Sequence, residues 1–170
     1  DVFWNEAEQC LYDVIDERAK DASVRPNQIF AVSLPYTMLD AEQARMIVDK
    51  VEAELLTPVG LRSLSPRDPR YVPRYTGSPA ERDAAYHQGT VWAWLIGPFV
   101  DAYRKTHSAD HRAERRVAEI IEGLKRHLCE AGIGQVSEVF DGDAPHTPRG
   151  CIAQAWSVAE LLRIGKLHKE

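Results

Sequence analysis

At 170 residues, with 44% hydrophobic and 28% charged side chains, the chain carries enough apolar material for one ordinary core and too much for disorder. A formal net charge of −5 argues against a nucleic-acid partner, and the densest basic stretch, His111 to Arg116, is broken by Ala113 and Glu114 in the manner of a solvated helix face. Cys10, Cys129 and Cys151 are odd in number and widely spaced, as free thiols of a cytoplasmic protein would be; no apolar run is long enough to span a bilayer, and the opening at Asp1 straight into an apolar pattern suits a piece of a longer protein.

Phe3, Ala7, Cys10, Leu11, Val14 and Ile15 recur at helical spacing and predict a first, one-faced helix. Pro26 suits the start of a second, in which Ile29, Phe30, Ala31, Val32 and Leu34 are apolar nearly all round as far as Pro35. Asp40 can cap a third, with Ala44, Ile47, Val48, Val51 and Leu55 as its stripe. The Pro-, Arg- and Tyr-rich stretch from Thr57 to Asp83 lacks periodicity, and a loop of that length in a compact domain points to function. Gly89 to Tyr103 then predicts a buried helix kinked at Gly97-Pro98. Ala113, Val117, Ile120, Ile121, Leu124 and Leu128 make another one-sided helix, ended by Gly132. A second irregular stretch runs from Ile133 to Gly150, and Cys151 to Ile164 predicts a last helix, apolar over most of its circumference.

Six helices that alternate one-faced with buried imply an all-α fold in two layers. Three hairpins of an α/α toroid would give that pattern, with outer helices meeting solvent on one side and inner ones covered. A free-standing helical bundle gives it equally well, and periodicity does not separate the two.

In a layered ring the irregular connections gather at one end, where their polar and aromatic residues line a pocket. Tyr86-His87-Gln88-Gly89-Thr90-Val91-Trp92 brings a phenol, an imidazole, an amide and an indole to the start of a buried helix, groups that suit sugar hydroxyls and the C–H face of a pyranose ring. The competing reading makes Trp92 and Trp94 core residues and His87 a satisfied histidine. Ser137-Glu138-Val139-Phe140-Asp141-Gly142-Asp143 holds carboxylates between apolar residues, and one of them could activate water, although Asp-Gly-Asp is commonly only a turn. His107 and His111 are four apart without the glutamate that a zinc helix carries. There is neither a phosphate-cradling glycine loop nor a nucleophile elbow.

Blocks spread over nearly the whole chain share one resemblance: Phe3-Trp4-Asn5, Leu11 to Asp16, Arg25-Pro26-Asn27-Gln28, Gly60 to Leu64, Tyr86 to Trp92, Glu138 to Gly142, and Gly150 to Glu160. In this order they resemble the C-terminal amylo-α-1,6-glucosidase region of bacterial glycogen debranching enzymes. The resemblance implies that residues 1–170 are one unit of an (α/α)₆ toroid that hydrolyses α-1,6 branch points of glycogen or limit dextrin by inversion, without metal or cofactor. On that match Glu138 is the general base; Tyr86, His87, Gln88 and Trp92 line the sugar subsite, with Arg25, Asn27 and Gln28 near the same pocket. The family's general acid, an aspartate in a Trp-Met-Asp motif, has no counterpart in the sequence, so it is expected upstream and the chain alone is expected to be inactive. Two other readings stay open: a non-catalytic glycan-binding or scaffold module, and another α/α-toroid glycosidase. A half ring would also leave apolar helix edges through which copies could self-associate.

Overall fold

The expected first helix is two short antiparallel hairpins in the computed structural model, which describes residues 2–166. β1 (Trp4–Asn5) pairs with β2 (Cys10–Leu11), and β3 (Val14–Ile15) with β4 (Lys20–Asp21). The reason is local. Asn5 Oδ1 accepts the Ala7 and Glu8 amides at 3.1 and 3.3 Å, and Asp16 Oδ1 accepts those of Arg18 and Ala19, both at 2.7 Å. Side chains of this kind offer nearby amides an alternative to helical carbonyls and fold the chain into turns. Cys10 is still fully buried and Leu11 still packs on the core, whereas Phe3 and Val14 are exposed.

The second element begins at Pro26 as a 3₁₀ turn and continues as α1 (Phe30–Ser33). α2 (Ala41–Glu54) follows the sequence closely: Asp40 caps it in a reciprocal box with Gln43, and Ala44, Ile47, Val48 and Val51 are buried. The long Pro- and Tyr-rich connection contains one short helix, α3 (Pro79–Ala85), capped by Ser78. The predicted helix from Gly89 starts later, because residues 91–92 pair as a strand and 93–95 form a 3₁₀ turn before α4 (Ile96–Thr106). Pro98 thus falls in the first turn of α4, where its missing N–H leaves no helical bond unmade, and the expected kink becomes a helix start.

α4 is the hub of the core. Ile96, Phe99, Val100 and Ala102 are fully buried, and the helix packs against α1, α2, α5 (Ala113–His127) and α6 (Ala155–Lys166). α5 buries Val117, Ile120, Ile121 and Leu124 on one side. α6 turns Ser157, Leu161 and Ile164 inward but leaves Trp156 and Leu162 exposed, so it is covered on one face where the sequence predicts cover nearly all round.

The remaining regular elements of the core are short strands. β5 (Leu56–Thr57), β6 (Gly60–Arg62), β7 (Val91–Trp92), β8 (Val139–Phe140) and β9 (Pro148–Arg149) form one antiparallel sheet in that order, with Leu61 opposite Trp92, Val91 opposite Phe140 and Val139 opposite Arg149. The described chain is therefore mixed α and β rather than all-α. Strands of two or three residues leave no periodic trace, yet these draw together the two irregular stretches that the sequence marks for function. Among the described residues no helix is long and apolar enough to cross a membrane.

Candidate active site

The sheet sets Glu138 at the entrance to β8, facing the chain that leaves β9. The Glu138 amide donates to the Cys151 carbonyl at 2.9 Å, and the Cys151 amide returns a bond to Glu138 Oε2 at 2.8 Å. The other carboxylate oxygen, Oε1, accepts from the Tyr86 hydroxyl. Tyr86 is fixed in turn: it closes α3, and its carbonyl accepts from Thr90 Oγ1 and, at 3.3 Å, from Trp92 Nε1.

Three neutral donors therefore act on Glu138. Burial pushes its carboxyl up, but the Tyr86 hydroxyl, then the amide and the thiol of Cys151, outweigh burial and hold it below the usual glutamate value. Burial and the neighbouring carboxylate push the Tyr86 hydroxyl well up, and Glu138 pushes the Cys151 thiol up, so both keep their protons and remain donors. The other two carboxylates of this stretch are engaged otherwise. Asp141 is fully buried, held by the Arg149 guanidinium at 3.0–3.3 Å and by the Tyr75 amide at 2.9 Å, with Arg74 at 3.7 Å. Asp143 accepts from the Tyr71 hydroxyl at 2.8 Å. Glu138 is held ionised by neutral donors with no cationic partner among the described residues, and it lines an open cavity of about 660 Å³ with Tyr75, Thr76, Arg82, Arg149 and Cys151.

A second cleft of about 440 Å³ is reached through the rings beside Tyr86. The Tyr86 ring meets His87 and Trp92 edge-on, each at 4.9 Å between centroids, and His87 lies flat on Trp92 at 5.3 Å. Arg25, Asn27, His87, Gln88 and Trp92 line this cleft together with Asp13, Trp94 and Trp156. Arg25 works as a brace: its guanidinium donates to the Ser63 and His87 carbonyls at 3.1 and 2.6 Å and to Gln88 Oε1 at 2.9 Å, with Asp13 at 3.5 Å. Gln28 is buried, and its amide links the Leu11 amide to the Arg25 carbonyl, which makes it a strut of the fold.

The arrangement is a carboxylate held ionised at a cavity wall, next to an aromatic and amide-lined cleft, the furniture of a carbohydrate site. The amylo-α-1,6-glucosidase family model matches residues 1–163. The chain belongs to that family. A glycogen debranching enzyme from Saccharomyces cerevisiae is 27% identical over 162 residues, covering 84% of this chain. The match is 10% of the yeast protein, so the chain spans about a tenth of the length of that relative.

In this amylo-α-1,6-glucosidase-family chain the structure brings Glu138 to Tyr86 and brings Arg25, Asn27, His87, Gln88 and Trp92 into one cleft. It adds Tyr75, Cys151, Asp13, Trp94 and Trp156, which sequence reading did not assign. Tyr75 lies in the stretch marked for function, so part of its signal was present. Cys151 acts in part through its backbone amide, which no side-chain pattern announces.

Proposed function

We propose that this chain supplies the general base of a glucosidase that hydrolyses α-1,6 branch points of glycogen or limit dextrin with inversion, its partner acid lying outside these 170 residues. The observation that carries the reading is Glu138: a carboxylate kept ionised by the Tyr86 hydroxyl and the Cys151 amide, at the wall of a cavity large enough for a sugar ring and a water. A carboxylate offers about four lone-pair sites and three donors act here, so Glu138 can still accept a proton from water. In an inverting reaction that water attacks the anomeric carbon from the face opposite the leaving oxygen, which an acid roughly 6.5–9.5 Å from the base protonates. The missing Trp-Met-Asp motif supports an acid supplied from elsewhere in the protein. Family membership supports a toroid completed by further hairpins, with the exposed Leu162 of α6 at its seam or against a second copy. A cytoplasmic location goes with a storage-glucan substrate.

The test is glucose release from branched limit dextrin by the full-length protein, its Glu138→Gln form, and the 170-residue chain alone. The full-length protein is expected to release glucose, the variant to lose about 10²–10⁴-fold in kcat, and the chain alone to be inert. Turnover by Glu138→Gln at the unsubstituted rate would overturn the assignment. A full-length protein that binds dextrin without cleaving it would be a glycan-binding module instead.

A further inference from the structure

His127, the last residue of α5, is fully buried, and both of its ring nitrogens are engaged. Nε2 accepts the Ser137 amide at 3.2 Å, and the Ser137 hydroxyl lies 3.1 Å from the same nitrogen. An amide can only donate, so Nε2 is the bare nitrogen and the ring hydrogen sits on Nδ1, 3.3 Å from Glu130 Oε2. The ring also meets Phe140 edge-to-face, with centroids 4.7 Å apart. Carboxylate, imidazole and serine hydroxyl in that order resemble a nucleophilic triad, but this row is not placed to attack a substrate. Ser137 is 2% exposed, and its own amide occupies the nitrogen that would have to take the hydroxyl proton.

The use of the row lies in where Ser137 stands. Ser137 immediately precedes Glu138, and Phe140 follows in β8, so one imidazole grips the chain on both sides of the carboxylate residue. The carboxylate is thus set from one side by Tyr86 and Cys151, and its backbone is set from the other by the end of α5. We infer that His127 is a positioning residue for the reaction, on the reading that Glu138 is the general base: by fixing Ser137 and Phe140 it holds Glu138 where the carboxylate reaches the attacking water, and it touches no substrate itself.

The experiment compares the full-length protein with its His127→Leu and His127→Gln forms. Leucine fills much of the same space without an acceptor, whereas the glutamine side-chain oxygen falls near the place of Nε2 and can take the Ser137 amide. On branched limit dextrin His127→Leu is expected to lose about tenfold in kcat with KM held within about twofold, because a misplaced base slows the chemical step and not binding. His127→Gln is expected to keep kcat within about threefold. A second readout needs no turnover. Glu138 keeps the Cys151 thiol protonated, and the thiolate is the form that alkylates, so a carboxylate that drifts away lets iodoacetamide modify Cys151 faster. Peptide mapping should show Cys151 alkylated about threefold faster in His127→Leu, with His127→Gln unchanged and the buried Cys10 equally slow in every form. An unchanged kcat, an unchanged Cys151 rate, a loss confined to KM, or a loss that His127→Gln fails to recover overturns the inference. Faster alkylation of Cys10 overturns it too, since that would mark a loosened core. All of these leave the glucosidase reading in place. If the unsubstituted protein releases no glucose, that reading falls by itself, and the alkylation rates alone decide whether His127 holds Glu138 in position.

Discussion

A β-carbon on Gly150 would lie 2.5 Å from Glu138 Oε2 and 3.2 Å from the Glu138 Cβ and Cδ, and Gly150 has φ +65°. Two demands meet at this residue: a left-handed backbone that presents the Cys151 amide to the carboxylate, and empty space where the carboxylate sits. Gly150→Ala is therefore expected to displace Glu138 and lower kcat on limit dextrin by about tenfold or more, since small misplacements of a catalytic group carry large rate penalties. Steady-state kinetics on the full-length protein would check it, and activity within twofold of the unsubstituted form would show that the carboxylate has room to shift.

Tyr86→Phe removes the donor to Glu138 Oε1 while leaving the ring that packs on His87 and Trp92. The hydroxyl favours the ionised carboxylate and burial opposes it, so without the hydroxyl burial is less opposed and the Glu138 carboxyl titrates higher. A base must be ionised to act. The acid limb of kcat/KM, set by the free enzyme's base, should lie below the ordinary glutamate range in the unsubstituted protein and move to higher pH in Tyr86→Phe, with the plateau lowered about tenfold for a lost charge-assisted bond. A limb that stays where it was would mean that the titration belongs to another group.

The site was legible in the sequence where side chains carry it, and illegible where the backbone does. Glu138 and the Tyr86 to Trp92 block stand out as residue types, and they meet in space through a sheet whose strands are too short to show alternation. Helices α2 and α5 run for 14 and 15 residues with one apolar stripe each, long enough for periodicity to fix them. The first 15 residues misled for a physical reason: the spacing of Cys10, Leu11, Val14 and Ile15 suits a helix, but Asn5 and Asp16 turn the chain by bonding their own downstream amides. Gln28, placed near the pocket by resemblance, has its amide bonded to the Leu11 and Arg25 backbone and lines a smaller cleft with Asp13, Arg25 and Asn27.

Asp141 anchors the stretch that carries Glu138. It is fully buried between Arg149, Arg74 and the Tyr75 amide, and so joins two cavity-lining residues to the strand that follows Glu138. Asp141→Asn keeps the shape but leaves two guanidinium groups without their counter-charge. Arg149 is one-third exposed, which lets water compensate in part, so the expected loss is about 2 kcal/mol, below the 3–5 typical of a fully buried pair. Urea denaturation of the full-length protein would read it, and a loss under ~0.5 kcal/mol would place the pair among those that contribute little.

Two helical glycines should respond to alanine with opposite signs. In a helix interior alanine is favoured over glycine by about 1 kcal/mol, so each substitution begins from that gain. Gly123 lies in α5 against the turn between β5 and β6, where an added β-carbon would come within 2.5 Å of the Pro58 carbonyl oxygen and 3.2 Å of its carbon. Those are backbone atoms of a tight turn between paired strands, with no flexible end to swing away, so relief requires α5 to move off the sheet that Glu138 adjoins. Gly165, in the last turn of α6, has nothing within 4 Å of the same position among the described residues. Gly123→Ala is accordingly expected to lower stability by about 1–3 kcal/mol in the manner of an overpacked core, and Gly165→Ala to raise it by up to about 1 kcal/mol, less for fraying at a helix end. Thermal denaturation of both variants beside the unsubstituted protein decides it. Stabilisation by Gly123→Ala would show that the β5–β6 turn yields, and that close backbone approach is not what keeps glycine in the middle of α5.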